Sequence, residues 1–482
     1  MNKFISFLLG LAFLATTINS ASATTINVPG NQSTIQAGID ASSPGDTVLV
    51  QPGRYVETID FKGKDIIVGS LFLATRDSSY ISNTVISGGG NGSVVTFKNG
   101  ETENAELCGF TVAFGETKYI QGHQPLSWGG GIYCINASPY LHHLIVENNE
   151  SDYDGGGIHL EKSNSTIEYC VIRNNRAKML GGGFYISQGN NHITNCIINS
   201  NEGIDGGGGE FLYSNIKIER CVIFKNRSDL GSALYVHQSE TTIINSTITD
   251  HSYGYDVIYS DGIILTIVNS ILWNDCDYEI DSRTIQAKYP PNNVIIAYSD
   301  VRNNNITIHV DAQDSLFLDN VINQNPLFVN PDIDDYRLNS NSPCIDAGVS
   351  RYIFNNASIL NLPKNSYKGN GPDMGANEFD IISSVKSINT DSTIKISSFP
   401  NPFNSSTIIR YSLSKQSHVN LAVYSITGQK VKDLLNKSLP VGNYQTQWNG
   451  TDKSGNNVSS GVYIVRLNTG IQTLSKCVVY MK

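Results

Sequence analysis

Six residues recur at one position of a repeated motif and could take part in binding. Each lies four residues after the start of a repeat, and they are Tyr133, His159, Tyr185, Glu210, Tyr235 and Tyr259. Trp128 immediately precedes the first glycine run. A sugar ring stacks on an aromatic face because its C–H surface is apolar, while its rim forms hydrogen bonds. The pattern therefore predicts an exposed ladder of side chains that binds polysaccharide, with these seven residues as candidates.

The same row has a structural alternative. Tyrosine is common in strands, and stacked tyrosines stabilise a sheet without any ligand. Both interpretations stay open on the sequence alone, because the sequence does not show which side chains reach solvent.

Carboxylates and cations beside this motif could support cleavage of a bound polymer. Glycoside hydrolysis uses two carboxylates at a defined separation, which Asp205 with Glu210, or Asp154 with Asp205, could supply. Lyase chemistry uses a base, often with Ca²⁺ on the uronate carboxylate, and Arg176 and Lys178 are the nearest cations. The catalytic candidates are Asp154, His159, Lys178, Asp205 and Glu210. A solvated turn is the structural alternative for each acid.

The elements that position these residues follow from the spacing of the glycine runs. Repeat starts fall at Gly129, Gly155, Gly181, Gly206, Gly231 and Tyr255. Twelve residues after each start the chain has Leu141, Ile167, Ile193, Ile218, Ile243 and Ile267. Short alternating strands in coils of about 25 residues predict a parallel β-helix, in which each coil stacks on the one before.

A column of asparagines supports this stacking. Twenty residues after the starts lie Asn149, Asn175, Asn201 and Asn226, followed by His251 and Asp275. Stacked amides at a turn can pass hydrogen bonds from coil to coil and satisfy backbone groups that the turn leaves unpaired. We therefore expect an asparagine ladder at one corner of the helix.

Cysteine spacing also follows the repeat. Cys170, Cys196 and Cys221 each lie in an apolar strand segment, and the chain has no CxxC motif. This pattern predicts small buried apolar side chains rather than disulfides, a zinc site or a redox centre.

Composition limits the partners. The 482 residues carry a formal net charge of -10, which argues against nucleic acid or an anionic membrane surface as partner. Lys3, the apolar run Phe4–Ala15 and Ala21-Ser22-Ala23 predict a signal peptide over residues 1–23. No later segment is long and apolar enough to span a membrane as a helix. We therefore expect an exported protein.

The chain resembles right-handed parallel β-helix proteins of the pectin-lyase-like superfamily over residues 24–380. The similar segments are Ser33–Ile59, Asn325–Pro331, Asn341–Gly348 and Gly371–Phe379. The resemblance implies an N-terminal cap and first coils over 24–70, regular repeats over 129–280 and closing segments over 320–380. Ser33 and Gln36 fit a capping box for a short helix that covers the open end of the stack. The catalytic motifs of polygalacturonases, pectate lyases and pectin methylesterases do not occur.

A second module follows a polar linker over residues 381–395. Residues 396–482 resemble the C-terminal sorting domain of type IX secretion substrates, through Pro400–Phe403, Trp448, Asp452, Gly455 and Ser460–Tyr463. The resemblance implies a small immunoglobulin-like β-sandwich and, as partner, the secretion machinery of a Gram-negative bacterium. It places the protein outside the cell or on the outer surface; an ordinary immunoglobulin-like binding domain is the alternative.

Extra residues before the first repeat could wall one end of a groove. The interval from Cys108 to Leu144 exceeds a coil by about ten residues and includes Lys118, Tyr119, His123 and Trp128. Three functions remain open: an exported protein that engages polysaccharide without cleaving it, a lyase or hydrolase with a divergent site, and a structural or adhesion protein. No cofactor is implied other than Ca²⁺ in the lyase case.

Overall fold

Each coil of the chain contributes one strand to each of three parallel sheets, which we call A, B and C. The computed structural model describes residues 23–118, 128–284, 291–379, 396–399, 403–413, 417–425, 430–440, 442–459, 461–469 and 473–480. Contacts divide the chain into two compact units, Met1–Glu378 and Phe379–Lys482. The predicted signal peptide, apart from its last residue, and the predicted linker lie outside the described residues.

The strands of the first unit form a parallel β-solenoid of about 11 turns. In the described part of the chain, sheet A contains Thr25–Val28, Thr47–Val50, Ile67–Ser70, Glu106–Cys108, Tyr140–His142, Thr166–Glu168, Asn190–Thr194, Asn215–Glu219, Glu240–Ile244, Ile264–Val268, Asn293–Ala297 and Ser315–Asp319. Sheet B contains Gly53–Val56, Thr84–Ser87, Thr111–Ala113, Ile145–Glu147, Val171–Arg173, Ile197–Asn199, Val222–Phe224, Thr247–Thr249, Ile271–Trp273 and Asp300–Val301. Sheet C contains Ile59–Asp60, Val95–Phe97, Ile132–Ile135, Ile158–Glu161, Phe184–Ser187, Gly209–Leu212, Leu234–His237, Asp256–Asp261, Tyr278–Ser282 and Ile308–Val310. A small sheet D contains Glu116–Thr117, Glu150–Ser151 and Arg176–Ala177.

The strand register confirms the predicted repeat. Ile132 pairs with Ile158, which pairs with Phe184, and the series continues through Gly209 and Leu234. Side chains at these positions point inward and are buried, and together with the other sheets they form one continuous apolar core. Alternation along each strand thus places every second residue in the core, as the pleat requires.

Glycine runs allow the coils to approach closely at the turn before sheet C. Gly155 and Gly181 have φ of 67° and 66°, in the left-handed region. A Cβ on Gly157 would lie 2.6 Å from the carbonyl oxygen of Gly183 on the next coil. The glycines therefore mark coil starts because a side chain there would collide with the neighbouring backbone.

The asparagine ladder is present at the corner after sheet B. Asn149 Nδ2 donates to Asn175 Oδ1 and Asn175 Nδ2 donates to Asn201 Oδ1, both over 3.0 Å. Each amide also donates to a backbone carbonyl of the preceding coil, as Asn175 does to Val146. Asn274 occupies the last position instead of the expected Asp275, because its Oδ1 accepts from His251 N and its Nδ2 donates to the carbonyl of Ile248.

A short helix, Ile35–Ala41, covers the N-terminal end of the core with Ile35 and Ile39 buried. Its N-cap is Thr34 rather than the predicted Ser33, since Thr34 Oγ1 accepts from the amide of Ala37. The carboxylate of Glu57, from the next coil, accepts from the first amides of the helix. A tertiary contact therefore replaces the predicted capping box.

The cysteines of the regular repeats are buried, as predicted. The described cysteines are all free thiols, and Cys170, Cys196 and Cys221 stack in the core. The thiol of Cys196 donates weakly to the carbonyl oxygens of Ile167 and Thr194.

Short elements complete the first unit. Its other helices in the described ranges are Phe72–Thr75, Ser79–Asn83 and Asn304–Thr307, with 3-10 turns Pro331–Ile333 and Lys364–Ser366. Two antiparallel hairpins follow the last coil: Phe328–Asn330 with Asp335–Leu338, and Arg351–Phe354 with Ala357–Asn361. These hairpins lie in the segment that the resemblance assigned to closure.

The second unit contains two antiparallel sheets. One contains Ile396–Phe399, Thr407–Leu413 and Gly442–Trp448. The other contains Ser417–Ser425, Lys430–Leu439, Gly461–Asn468 and Thr473–Tyr480. Trp448 is fully buried in their shared core and donates from Nε1 to the carbonyl of Thr451. This arrangement agrees with the predicted small β-sandwich.

Candidate functional site

The predicted row lies on the outer face of sheet C in the expected register. Tyr133 pairs with His159, which pairs with Tyr185; Glu210, Tyr235 and Tyr259 follow on successive coils. The structure extends the row to Asp281 and His309. The sequence pattern does not predict these two residues. The intervals from Tyr259 to Asp281 and from Asp281 to His309 are 22 and 28 residues, so a fixed spacing of about 25 does not reach them.

The row is buried, and the expectation of an exposed ladder is wrong. Relative exposures are 7 % for Tyr133, 2 % for His159, 8 % for Tyr185, 4 % for Glu210, 9 % for Tyr235 and 6 % for Tyr259. Parallel strands lie about 4.8 Å apart, so neighbouring rings contact one another. The ring centres of His159 and Tyr185 are 4.9 Å apart. Their faces are used inside the stack instead of being presented to a sugar.

Trp128 covers the beginning of this stack. Its half-buried ring lies 4.8 Å from that of Tyr153 and 6.0 Å from that of His159. Lys118 is exposed and pairs with Glu116 over 3.2 Å. Tyr119 and His123, predicted to line the same groove wall, lie outside the described residues.

Three of the candidate acids influence one another electrostatically. Burial, reinforced by the charges of Asp205 and Asp154, raises the pKa of Glu210 to about 9. Burial also raises the pKa of Asp154 to about 6, against the hydrogen bond from the Leu180 amide. Asp205 is half-buried, and burial followed by the charge of Asp229 raises its pKa. Glu210 is therefore a neutral acid at pH 7, and its Oε2 has no hydrogen-bond partner among the described residues.

The other catalytic candidates, His159 and Lys178, and the nearby Arg176 do not supply a base beside these acids. Burial lowers the pKa of His159 to about 3, so its imidazole is neutral. Lys178 is exposed and forms an ion pair with Asp152. Arg176 is exposed in sheet D and pairs with Glu202 over 3.4 Å. Both cations thus neutralise acids of neighbouring coils.

An open cleft of about 560 Å³ lies on another face, beside the outer side of sheet B. Its floor consists of Val171, Ile197 and Val222, stacked on three successive coils. Along one side run the corner residues Tyr169, Asn195 and Arg220. The tyrosine ring is about half exposed. Ligand pockets have this size and this combination of an apolar floor with a few polar groups.

The far wall of the cleft comes from the closing segment. Asp334, Asp335, Tyr336 and Arg337 line it. Tyr336 Oη donates to Asp250 Oδ2 over 2.9 Å, and its ring lies 5.0 Å from that of Phe224. Lys225 pairs with both Asp250 and Asp334. The wall is thus attached to the solenoid by a buried aromatic contact and an ion-pair group.

Arginines supply the positive charge of this cleft. Arg173 pairs with Glu147 over 2.7 Å, and Arg337 pairs with Asp335 over 2.6 Å. Arg220 has no ion pair within 4 Å among the described residues and is half-buried. A guanidinium beside an apolar floor can bind a carboxylate or sugar hydroxyls with paired N–H donors.

One wall of the cleft has a signal in the sequence. Tyr169, Asn195 and Arg220 each lie fourteen residues after a repeat start, and all have positive φ at the corner between sheets A and B. A positive φ at a repeated position is typical of an exposed turn. The fixed spacing of this column could therefore have predicted a row of turn residues at the surface. No repeat position indicates the opposite wall, because residues 334–337 lie more than 100 residues further along the chain.

Two family models match separate parts of the chain. Residues 127–272 match the model described as right handed beta helix region. Residues 397–481 match the model described as secretion system C-terminal sorting domain. The chain therefore contains a right-handed β-helix region and a type IX C-terminal sorting domain, and the sorting domain indicates secretion or outer-surface localisation in a Gram-negative bacterium. The sorting domain implies the secretion machinery as a partner.

Solved structures with similar folds are distant in sequence. Pectate lyase Pel9A is 16% identical, with 75% of this chain and 97% of that chain covered and a TM-score of 0.39. The Azotobacter vinelandii mannuronan C-5 epimerase AlgE6 A-module is 14% identical, with coverages of 61% and 94% and a TM-score of 0.32. Comparison with curated proteins found no match. Among the described residues, no helix is both long and apolar enough to cross a membrane.

Proposed function

We propose that this exported β-helix binds extracellular polysaccharide in the cleft beside sheet B. The observation that carries the proposal is the combination of an exposed tyrosine, Tyr169, with the guanidinium of Arg220 along one open side, which has no ion pair within 4 Å in the described part of the chain. The outer row of sheet C is less suitable, because its rings are buried against one another, whereas Tyr169 stacks on His143 and is still about half exposed.

The chemistry of the cleft suits a sugar polymer. Tyr169 offers a ring face to the apolar C–H surface of a sugar, and Ile197 adds an exposed apolar floor. Asn195, Asn199 and Asn377 provide amides for hydroxyl groups. Arg220 offers paired donors to a uronate carboxylate, which favours an acidic polymer over a neutral one.

The cleft is also formed in advance. Its floor is part of the continuous solenoid, and its far wall is attached through Tyr336 and Asp334. Three coils span roughly 10 Å, which suits a short stretch of an extended chain. Binding therefore requires little ordering of the protein, which lowers its entropic cost.

Affinity electrophoresis of the whole chain in gels with uronate-containing or neutral polysaccharides tests the proposal. We expect retardation by an acidic polymer, weaker by about tenfold in Arg220→Ala, which loses a charge-assisted hydrogen bond, and by up to about tenfold in Tyr169→Ala, which loses a stacking face. Tyr213→Ala is the matched control, because Tyr213 is also an exposed tyrosine with positive φ, outside the cleft. Arg351→Ala controls for charge.

Two results would overturn the proposal. One is full retention by the Tyr169 and Arg220 variants, which would locate binding elsewhere. The other is no retardation by any polymer of the panel, which would leave a structural or adhesive role.

Cleavage of the polymer is a second candidate, favoured by Glu210. A protonated carboxyl beside ionisable Asp205 and Asp154 is the pattern of a general acid with a second carboxylate. Incubation with the same polymers, followed by reducing-end and unsaturated-product assays, tests it. Activity that persists unchanged in Glu210→Gln would remove Glu210 from that role.

A further inference from the structure

A group of three metal-binding side chains lies on the outer face of sheet A. Glu106 and Cys108 occupy alternate positions of one strand, and His142 lies on the adjacent strand directly beside Cys108. Their ligand atoms all lie within 4.8 Å of one another. His142 Nε2 is 2.9 Å from Glu106 Oε1. Two neighbouring coils therefore bring together a thiol, an imidazole and a carboxylate.

The surroundings enclose the group while leaving one side accessible. Cys108 is fully buried and His142 is 5 % exposed, whereas Glu106 is half-buried. Tyr140 stacks on the His142 ring at 4.3 Å between ring centres. A cation could therefore enter past the Glu106 carboxylate, and the other two donors are shielded from bulk water.

A neighbouring imidazole orients His142. His142 Nδ1 lies 2.8 Å from His143 Nδ1. If His142 Nδ1 carries the proton and donates to His143, its Nε2 lone pair points toward Cys108 and Glu106. Metal-bound histidines usually donate their other ring N–H in this way, which fixes the ring and its tautomer. His143 is itself held between Phe72 and Tyr169, at 4.5 and 5.0 Å.

We propose that Glu106, Cys108 and His142 bind a divalent transition metal of the Zn²⁺ type. Thiolate and imidazole ligands select Zn²⁺ or Co²⁺ over Ca²⁺ and Mg²⁺, which prefer oxygen ligands alone. Three protein ligands leave the fourth tetrahedral position for water or another donor. The bound metal cross-links two successive coils. The two sites share no ligand-binding residue, although His143 stacks on Tyr169, which lines the cleft. The metal and polysaccharide tests use different variants, so either proposal can fail alone.

Titration of the reduced, chelator-treated full chain with Co²⁺ tests the site. We expect one Co²⁺ per chain, with a thiolate-to-cobalt charge-transfer band in the near ultraviolet that Zn²⁺ displaces. Cys108→Ser should abolish the band, and His142→Gln should weaken binding at least tenfold. Cys276→Ser is the matched control, because Cys276 is the most exposed of the described thiols and should retain the band.

Further variants separate metal binding from damage to the fold. His143→Phe should weaken binding roughly tenfold, the usual cost of losing an outer hydrogen-bond partner. Circular dichroism and thermal unfolding without metal should match the unmodified chain for each variant used. Addition of Zn²⁺ should raise Tm in the unmodified chain and not in Cys108→Ser. Persistence of the band in Cys108→Ser, or equal Co²⁺ affinity in His142→Gln, would overturn the proposal.

Discussion

The outer face of sheet C and the cleft beside sheet B are built from the same coils, yet only one is open. On sheet C, Tyr133, His159 and Tyr185 stack in register and bury one another. On the sheet B side, Tyr169 stands at a corner, and the closing segment passes at a distance that leaves about 560 Å³ between them. Outward orientation in a strand is therefore different from exposure. Ring stacking buries the outer face of sheet C, whereas the closing segment forms the far wall of the open cleft beside sheet B.

The largest expected effect is on stability, and it distinguishes stacked from exposed tyrosines. Tyr185→Ala should lower the free energy of unfolding of the solenoid by about 2–4 kcal/mol, because it removes a buried ring from the stack. Tyr213→Ala should lower it clearly less, because the Tyr213 ring is about half exposed and contacts the His237 ring edge-on. Urea unfolding followed by circular dichroism measures both. Equal effects would mean that the row on sheet C is not a packed stack.

The next effect is the pH dependence that Glu210 gives to this face. Its pKa is raised from 4.5 to about 9 in the folded chain, so the folded state binds this proton more tightly than the unfolded state. The associated stability is present below about pH 4.5 and is lost as pH rises towards 9. Glu210→Gln should therefore reduce the loss of stability between about pH 5 and pH 9, by on the order of 1 kcal/mol or more.

Glu219 is a control, because its contribution to the pH dependence of stability has the opposite sign to that of Glu210. The His192 imidazole, 3.5 Å from its carboxylate, and the hydrogen bond from Lys217 lower its pKa to about 2. Its stabilising contribution is therefore present above about pH 4.5 and is lost as pH falls towards 2. Glu219→Gln should lower stability at neutral pH and converge with the unmodified chain in acid. A Glu210→Gln profile parallel to that of the unmodified chain would contradict the buried neutral acid.

A smaller effect concerns the wall of the cleft. Tyr336→Phe removes the hydrogen bond to Asp250 but keeps the ring contact with Phe224. Without this hydrogen bond the wall is held less firmly, by about 1 kcal/mol. The retardation of the protein by polysaccharide should therefore weaken roughly fivefold, with little change in the fold. Tyr444→Phe is the control: its Oη donates to Pro440 in the second unit. Equal retention by both variants would show that binding does not need this wall position.

The smallest effect is expected at Lys178. Its ion pair with Asp152 is at the surface and screened by solvent, so Lys178→Ala should leave the free energy of unfolding almost unchanged. Polysaccharide retention should not change, because Lys178 does not line the cleft. Loss of any measured cleavage activity in this variant would restore the lyase base hypothesis and move the functional site away from sheet B.

Much of the fold could be predicted because a solenoid repeats its contacts at one interval. The asparagine column and the buried cysteines were identified correctly, since each residue contacts its counterpart one coil away. The errors arose where the interval changes or a distant residue intervenes. Asn274 replaces Asp275 in a shortened coil, and Glu57 replaces the capping box of the first helix.

The sequence by itself determined the coil, the register of its regular repeats and the export module, because periodicity specifies which residues are neighbours. Only the tertiary structure decided which outward side chains reach solvent. The burial of Tyr185 depends on ring packing, the cleft depends on a segment more than 100 residues away, and the Glu106–Cys108–His142 group depends on pairing between coils 36 residues apart. Spacing encodes adjacency, whereas exposure and ligand geometry arise from the three-dimensional arrangement of side chains that no single repeat contains.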